Sequence, residues 1–177
     1  MHYLEIRNLS IGYEFPLISG INLNADKGEL VALVGLNGTG KSTLLKSIVR
    51  LLPTLSGEIE LSGKNINKIP KSEYYKKVGY SSLQSIVSSN LKVIDLIALG
   101  RIPHTSLLGK ITEEDKKIVE KAVEQTELKN LINRELSKIS DGQRQRAYIA
   151  RLLAQQTDIM LFDEPTAFLD IVNKYLS

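Results

Sequence analysis

Gly35-Leu36-Asn37-Gly38-Thr39-Gly40-Lys41-Ser42-Thr43 follows directly on the apolar run Leu30-Val31-Ala32-Leu33-Val34 and leads into a segment whose Leu44, Leu45, Ile48 and Leu52 recur at helical spacing. The order reads as buried strand, glycine loop, helix over Lys41 to Leu52. The loop matches G-x-x-x-x-G-K-[ST] in the strand-to-helix setting that its mechanism requires. Glycines let backbone N–H groups turn inward around phosphate oxygens, and the helix presents its positive end to them. Lys41 adds a mobile positive charge for the β and γ phosphates, and the Ser42 hydroxyl suits Mg²⁺. Standing alone, the same stretch also fits a glycine-rich turn that only caps a helix, and as a phosphate site it fits a kinase or a GTPase equally well.

Around this loop the chain has the composition of an ordinary globular domain: 177 residues, 42% hydrophobic and 24% charged, close to the ~150 residues of a typical single domain. No stretch approaches the roughly 18 consecutive apolar residues of a membrane span, and Met1-His2-Tyr3-Leu4-Glu5 has neither the basic nor the apolar region of a signal peptide. A cytoplasmic location and a peripheral membrane role are the expectation. With no cysteine, disulfides, thiolate metal sites and a cysteine nucleophile are excluded. The net charge of +3 comes from lysines and arginines interleaved with acids, as in Glu113-Glu114-Asp115-Lys116-Lys117. That pattern is a solvated surface and points to no nucleic-acid partner.

Short β-type runs open the chain at Tyr3 to Asn8 and Ile21 to Ala25, and Glu58 to Leu61 and Val78 to Ser82 read as further strands. From Val93 the character turns helical. Thr112 to Gln125 has a Thr start, acids in its first turn and apolar Ile118, Val119, Ala122 and Val123. Another helix starts near Asp141, with Ala147, Ala150, Leu153 and Ala154 on its apolar face. The run Ile159-Met160-Leu161-Phe162 is a buried strand that ends in Asp163-Glu164-Pro165. This predicts an α/β fold interrupted by a helical subdomain.

Two acids at the carboxyl end of a buried strand sit where α/β folds place ligands. Asp163 suits Mg²⁺ ligation through water, and Glu164 suits a general base for an attacking water, an effect of ~10²–10⁴ in rate. Alone, the pair is also compatible with a solvated turn. Between the two sites lies Ile139-Ser140-Asp141-Gly142-Gln143, followed by Arg144-Gln145-Arg146 and a helix.

That segment resembles the ABC signature L-S-G-G-Q. Together with Gly35 to Thr43 and Asp163-Glu164-Pro165-Thr166, it makes the chain similar to an ABC ATPase over essentially its whole length. The resemblance implies one cassette over residues 1–177: an α/β core with an antiparallel β portion from 1–84 and 156–177, and a helical subdomain from 85–155. It implies ATP and Mg²⁺ as cofactors and a head-to-tail homodimer in which Ser140, Gly142 and Gln143 of one subunit close on nucleotide held by the other. In that scheme Gly35, Asn37, Gly38, Thr39, Gly40, Lys41, Ser42 and Thr43 hold the phosphates, and Ser42, Gln84 and Asp163 serve the metal. Lys41, Gln84 and Glu164 are catalytic. Tyr13 stacks on adenine, with base stacking typically worth ~1–3 kcal/mol, and Asp170 links the two active sites. Read singly, Tyr13 is a half-buried strand tyrosine, Gln84 a surface amide and Asp170 a helix cap. The sequence departs from the signature at Ile139 and at Asp141, where a carboxylate replaces glycine; as a helix N-cap it would point away from phosphate.

Leu99-Gly100-Arg101-Ile102-Pro103-His104-Thr105-Ser106-Leu107-Leu108-Gly109, Leu152-Leu153-Ala154-Gln155 and Pro165 to Asp170 resemble the importers of iron-siderophore complexes, haem and cobalamin. This implies transmembrane permease subunits as partners and, indirectly, a solute-binding protein. His104, with no His or Cys nearby, is a loop residue and not a metal ligand. The family's switch histidine has no counterpart among His2 and His104, so the chain reads as truncated at Ser177, binding ATP and hydrolysing it poorly. The rival readings are an ABC ATPase acting on ribosomes or DNA, which predicts a second cassette or basic arm, and a hydrolysis-impaired nucleotide-binding fragment.

Overall fold

Leu4, Ile6, Leu9 and Ile11 all face inward from one strand, although period-2 alternation cannot carry Ile6 and Leu9 to the same side. The computed structural model, which describes residues 2–82, 90–105 and 110–163, shows how. Strand β1 (Leu4–Gly12) pairs antiparallel with β2 (Pro16–Ala25) and with β3 (Ser56–Leu61), and both registers shift between Ile6 and Ser10. Asn8 sits there with φ 44, its N–H bonded to the Asn22 Oδ1 at 2.9 Å. The extra residue is a bulge that resets the alternation. Opposite it, Gly57 has φ 80, and a Cβ would lie 2.3 Å from the Asn8 carbonyl oxygen, so no other residue fits.

The chain divides into two units, residues 1–75 and 76–177. In the first, the sheet order is β2-β1-β3-β4, with β4 at Lys64–Asn65. Helix α1 (Lys41–Ile48) packs on β1 and buries Leu44, Leu45 and Ile48. It stops short of the Leu52 that its periodicity predicts, because Arg50 turns to φ 62 and the Leu51 and Leu52 amides fold back to the Lys46 carbonyl. A 3₁₀ turn (Ile66–Lys68) and helix α2 (Lys71–Lys77) follow. Fully buried Tyr74 of α2 bonds the Ile48 carbonyl through its hydroxyl.

Leu30 to Val34 departs from expectation. The run carries no strand pairing and is largely solvent-facing, with Val34 93% exposed. A buried parallel strand takes its ladder from neighbours on both edges. Among the described residues of this unit, the sheet is antiparallel and its members are paired elsewhere, so apolar character alone forms no strand.

In the second unit, β5 (Val78–Ser82) and β6 (Ile159–Asp163) pair in parallel, residue for residue from Val78↔Ile159 to Ser82↔Asp163. Helices α3 (Val93–Ala98), α4 (Glu113–Gln125) and α5 (Asp141–Gln155) bury one cluster that includes Val93, Ile97, Val119, Val123, Leu128, Leu136, Ala147 and Ala150. α4 starts at the expected Thr112, whose hydroxyl accepts from the Asp115 N–H while the Asp115 carboxylate accepts from the Thr112 N–H.

Buried Arg101 ties this unit together. Its Nε donates to the Asp115 Oδ1 at 2.8 Å, and Nη1 donates to the Ala154 carbonyl and the Gln156 Oε1. A cation at the C-terminal carbonyls of α5 complements the helix dipole. The backbone and hydroxyl donors of Thr112, then Arg101, lower the Asp115 pKa from 3.8 to about 2. A carboxylate held below its unfolded value stabilises the fold above that value, and the contribution fades as pH falls through the folded one. Helical signal is therefore expected to weaken between about pH 4 and about pH 2, with a flatter acid profile in Asp115→Asn. Circular dichroism against pH checks this, and superimposable profiles would rule out the Asp115 contribution.

Candidate functional site

Gly40 is the hinge of the glycine loop. It caps α1 with φ 90, a conformation that L side chains rarely adopt, accepts the Leu44 N–H at 2.9 Å, and a Cβ there would meet the Ile18 Cδ1 at 2.7 Å. Gly38 also has positive φ, 80°. These two positions bend the backbone so that the first turn of α1 follows directly on the loop. Lys41 Nζ curls back to the Gly35 and Leu36 carbonyls at 2.8 and 2.7 Å, and the Thr39 hydroxyl donates to the Leu36 carbonyl at 2.8 Å. The lysine charge thus lies at the loop's own rim, on a flexible stem. Gly35, Leu36, Asn37, Gly38 and Thr39 are exposed, Gly40 and Thr43 are buried, and Lys41 and Ser42 lie half-buried. Tyr13 lies in the turn between β1 and β2 and is 69% exposed, open to a flat partner rather than packed as a strand tyrosine.

Asp163 closes β6 and is buried. Tyr80, on the neighbouring strand β5, donates its hydroxyl to the Asp163 Oδ2 at 2.9 Å. Arg151 of α5 fixes the Tyr80 backbone by donating to its carbonyl at 2.7 Å. Gln84, Glu164, Thr166 and Asp170 lie outside the described residues. Among the described residues no group of three or more His, Cys, Asp or Glu side chains gathers. The Ser42 hydroxyl of the first unit and the Asp163 carboxylate of the second are each hard oxygen groups, the ligand type that suits Mg²⁺.

Ser140, not Asp141, caps α5. Its hydroxyl accepts from the Gln143 N–H at 3.3 Å, and the Gln143 Oε1 accepts from the Ser140 N–H at 3.0 Å. Serine wins the cap because glutamine three residues on completes a capping box, which Asp141 with Arg144 cannot. Asp141 instead occupies the first helical position, its carboxylate 95% exposed and paired with Arg144 Nη1 at 3.0 Å. Arg144 also donates to the Leu136 and Ile139 carbonyls, so it holds the loop before the helix and offsets the acid. Ser140, Asp141 and Gly142 are exposed, and nothing lies within 4 Å of a Cβ built on Gly142. Among the described residues, none covers the start of this helix.

His104 is a structural donor: its Nε2 lies 2.8 Å from the Gln155 carbonyl, and burial lowers its pKa. Sequence reading passed over Tyr80, Arg144 and Arg101. The Asp141-to-Arg144 spacing of three residues was a visible signal. The pairing of Tyr80 with Asp163, 83 residues apart, had none.

The family model described as ABC transporter matches residues 18–167. The uncharacterized ABC transporter ATP-binding protein MJ0873 of Methanocaldococcus jannaschii is 38% identical over 172 residues, covering 97% of this chain and 59% of that protein. The iron(3+)-hydroxamate import ATP-binding protein FhuC of Bacillus subtilis is 36% identical over 175 residues, 98% of this chain and 65% of that one. Among solved structures, a nucleotide-free ATP-binding cassette from an ABC transporter matches with a TM-score of 0.84 and 26% identity, covering 99% of this chain and 76% of that chain. The chain spans 59% and 65% of the length of these two curated relatives.

Proposed function

The chain belongs to the ABC transporter ATP-binding family and has its mixed α/β cassette fold, and from that membership we propose that it binds and hydrolyses ATP to drive a transporter. The geometry of Gly38 to Lys41 carries the reading: a left-handed glycine cap, a helix start aimed at the loop and a mobile cation at its rim. Lys41 and the loop amides bind the β and γ phosphates, Ser42 and Thr43 continue the cradle into α1, and Tyr13 takes the base. Mg²⁺, when bound with the nucleotide, neutralises phosphate charge, and Ser42, Gln84 and Asp163 are the residues to hold it. Glu164 accepts a proton from water as the water oxygen bonds to the γ phosphorus and the bond to the β-phosphate oxygen breaks, giving ADP and phosphate.

The exposed Ser140, Asp141 and Gly142 start of α5 fits a surface that closes, with Gln143, on nucleotide held by a second copy in a head-to-tail dimer. The helical residues 85–155 and the core residues 1–84 and 156–177 serve as the transmitting and binding halves of one cassette. Relatives such as FhuC, an iron(3+)-hydroxamate import protein, support an importer of iron-siderophore, haem or cobalamin-type solutes. Such a role puts the protein on the cytoplasmic face of the membrane beneath permease subunits, which receive solute from a solute-binding protein. Affinity purification from detergent-solubilised membranes is expected to recover a polytopic permease with the tagged protein. Recovery of ribosomes or DNA in its place would overturn the transport reading.

A further inference from the structure

Buried Asp163 receives a hydrogen bond that no part of the nucleotide-site motifs calls for. Tyr80 lies opposite Leu161 in the parallel ladder of β5 and β6, so Asp163 is its diagonal neighbour two residues further along. At that offset only a long side chain spans the gap, and the phenol does so, reaching the Asp163 Oδ2 at 2.9 Å. The Tyr80 backbone is held in turn by Arg151, so the hydroxyl is delivered from a fixed strand position. The donor is an uncharged phenol. An arginine or lysine in its place would neutralise the carboxylate and compete with a cation; an uncharged hydroxyl fixes the rotamer through Oδ2 without doing so.

We propose that Tyr80 is a positioning residue for the metal site, orienting the Asp163 carboxylate through the hydroxyl-to-Oδ2 bond so that Mg²⁺ bound with nucleotide meets it in one geometry. This rests on the nucleotide-site reading above. Outer partners of carboxylate ligands act in this way generally, and losing one typically weakens metal affinity about 10–100-fold.

Tyr80→Phe removes the hydroxyl and keeps the ring, so the fold is retained. Mn²⁺ affinity of the protein–ATP complex, measured by electron paramagnetic resonance, is expected to fall about tenfold or more in the variant. ATP affinity in excess EDTA and the melting temperature should stay at wild-type values, which separates orientation of the ligand from general damage. Equal Mn²⁺ affinity in Tyr80→Phe and wild type would overturn the proposal alone. Equal losses of metal-free ATP affinity and of Mn²⁺ affinity would also overturn it, by showing a structural role. Wild-type protein that binds no metal–nucleotide complex would overturn the nucleotide-site reading and this inference with it.

Discussion

Glu164→Gln is expected to lower ATP turnover by about 10²–10⁴ while leaving nucleotide affinity near wild type. The amide keeps the size and hydrogen-bonding reach of the carboxylate but cannot take a proton from the attacking water. In the proposed site the phosphate contacts come from Gly35 to Thr43, elsewhere in the chain, so binding is expected to survive the exchange. On the proposed head-to-tail dimer, ATP that is bound and not cleaved would keep two copies closed on each other. The variant should therefore run as a dimer in size exclusion with MgATP and as a monomer without it. Phosphate release at the wild-type rate would remove Glu164 from the role of base.

The parts of this fold that sequence reading recovered are those with local causes. α4 begins at Thr112 because a threonine followed three residues later by an acid satisfies two end-of-helix donors without help from the rest of the chain. α5 begins at Asp141, and β5 and β6 fall where short apolar or β-prone runs are bounded by polar residues. The turn into α1 was legible because closely spaced glycines just before a helical pattern mark a backbone bend, here at Gly38 and Gly40.

Contacts set by distant residues were not legible. Leu30 to Val34 has the composition of a buried strand, but a strand needs a neighbour, and composition does not say whether one is there. The bulge at Asn8 depends on Asn22 and Gly57 together. Arg101 looks like a surface charge in sequence; it is buried because Asp115, Ala154 and Gln156 converge on it. The same holds for Tyr80 and Asp163. At Asp141 the resemblance implied an acid near phosphate, and the structure shows that acid paired with an arginine one turn on and a serine in the cap position.

Lys41 stakes the largest binding energy on one side chain. Its ammonium is the one side-chain cation of the loop and donates to the Gly35 and Leu36 carbonyls; in the proposed site it would exchange them for phosphate oxygens. Truncation removes a charge-assisted contact to a triphosphate and leaves the phosphate charge unpaired, a loss on the order of 3 kcal/mol, or about a hundredfold in affinity. Lys41→Ala also removes the bonds to the Gly35 and Leu36 carbonyls, while Gly38, Gly40 and the Thr39 hydroxyl still set the turn. Isothermal titration of wild type and Lys41→Ala with MgATP is therefore the direct measurement. Saturable binding at one site per chain, weakened about a hundredfold or more by the substitution, is the expected result. Equal affinity in the two proteins, or no binding by the wild type, would contradict a nucleotide site at the glycine loop.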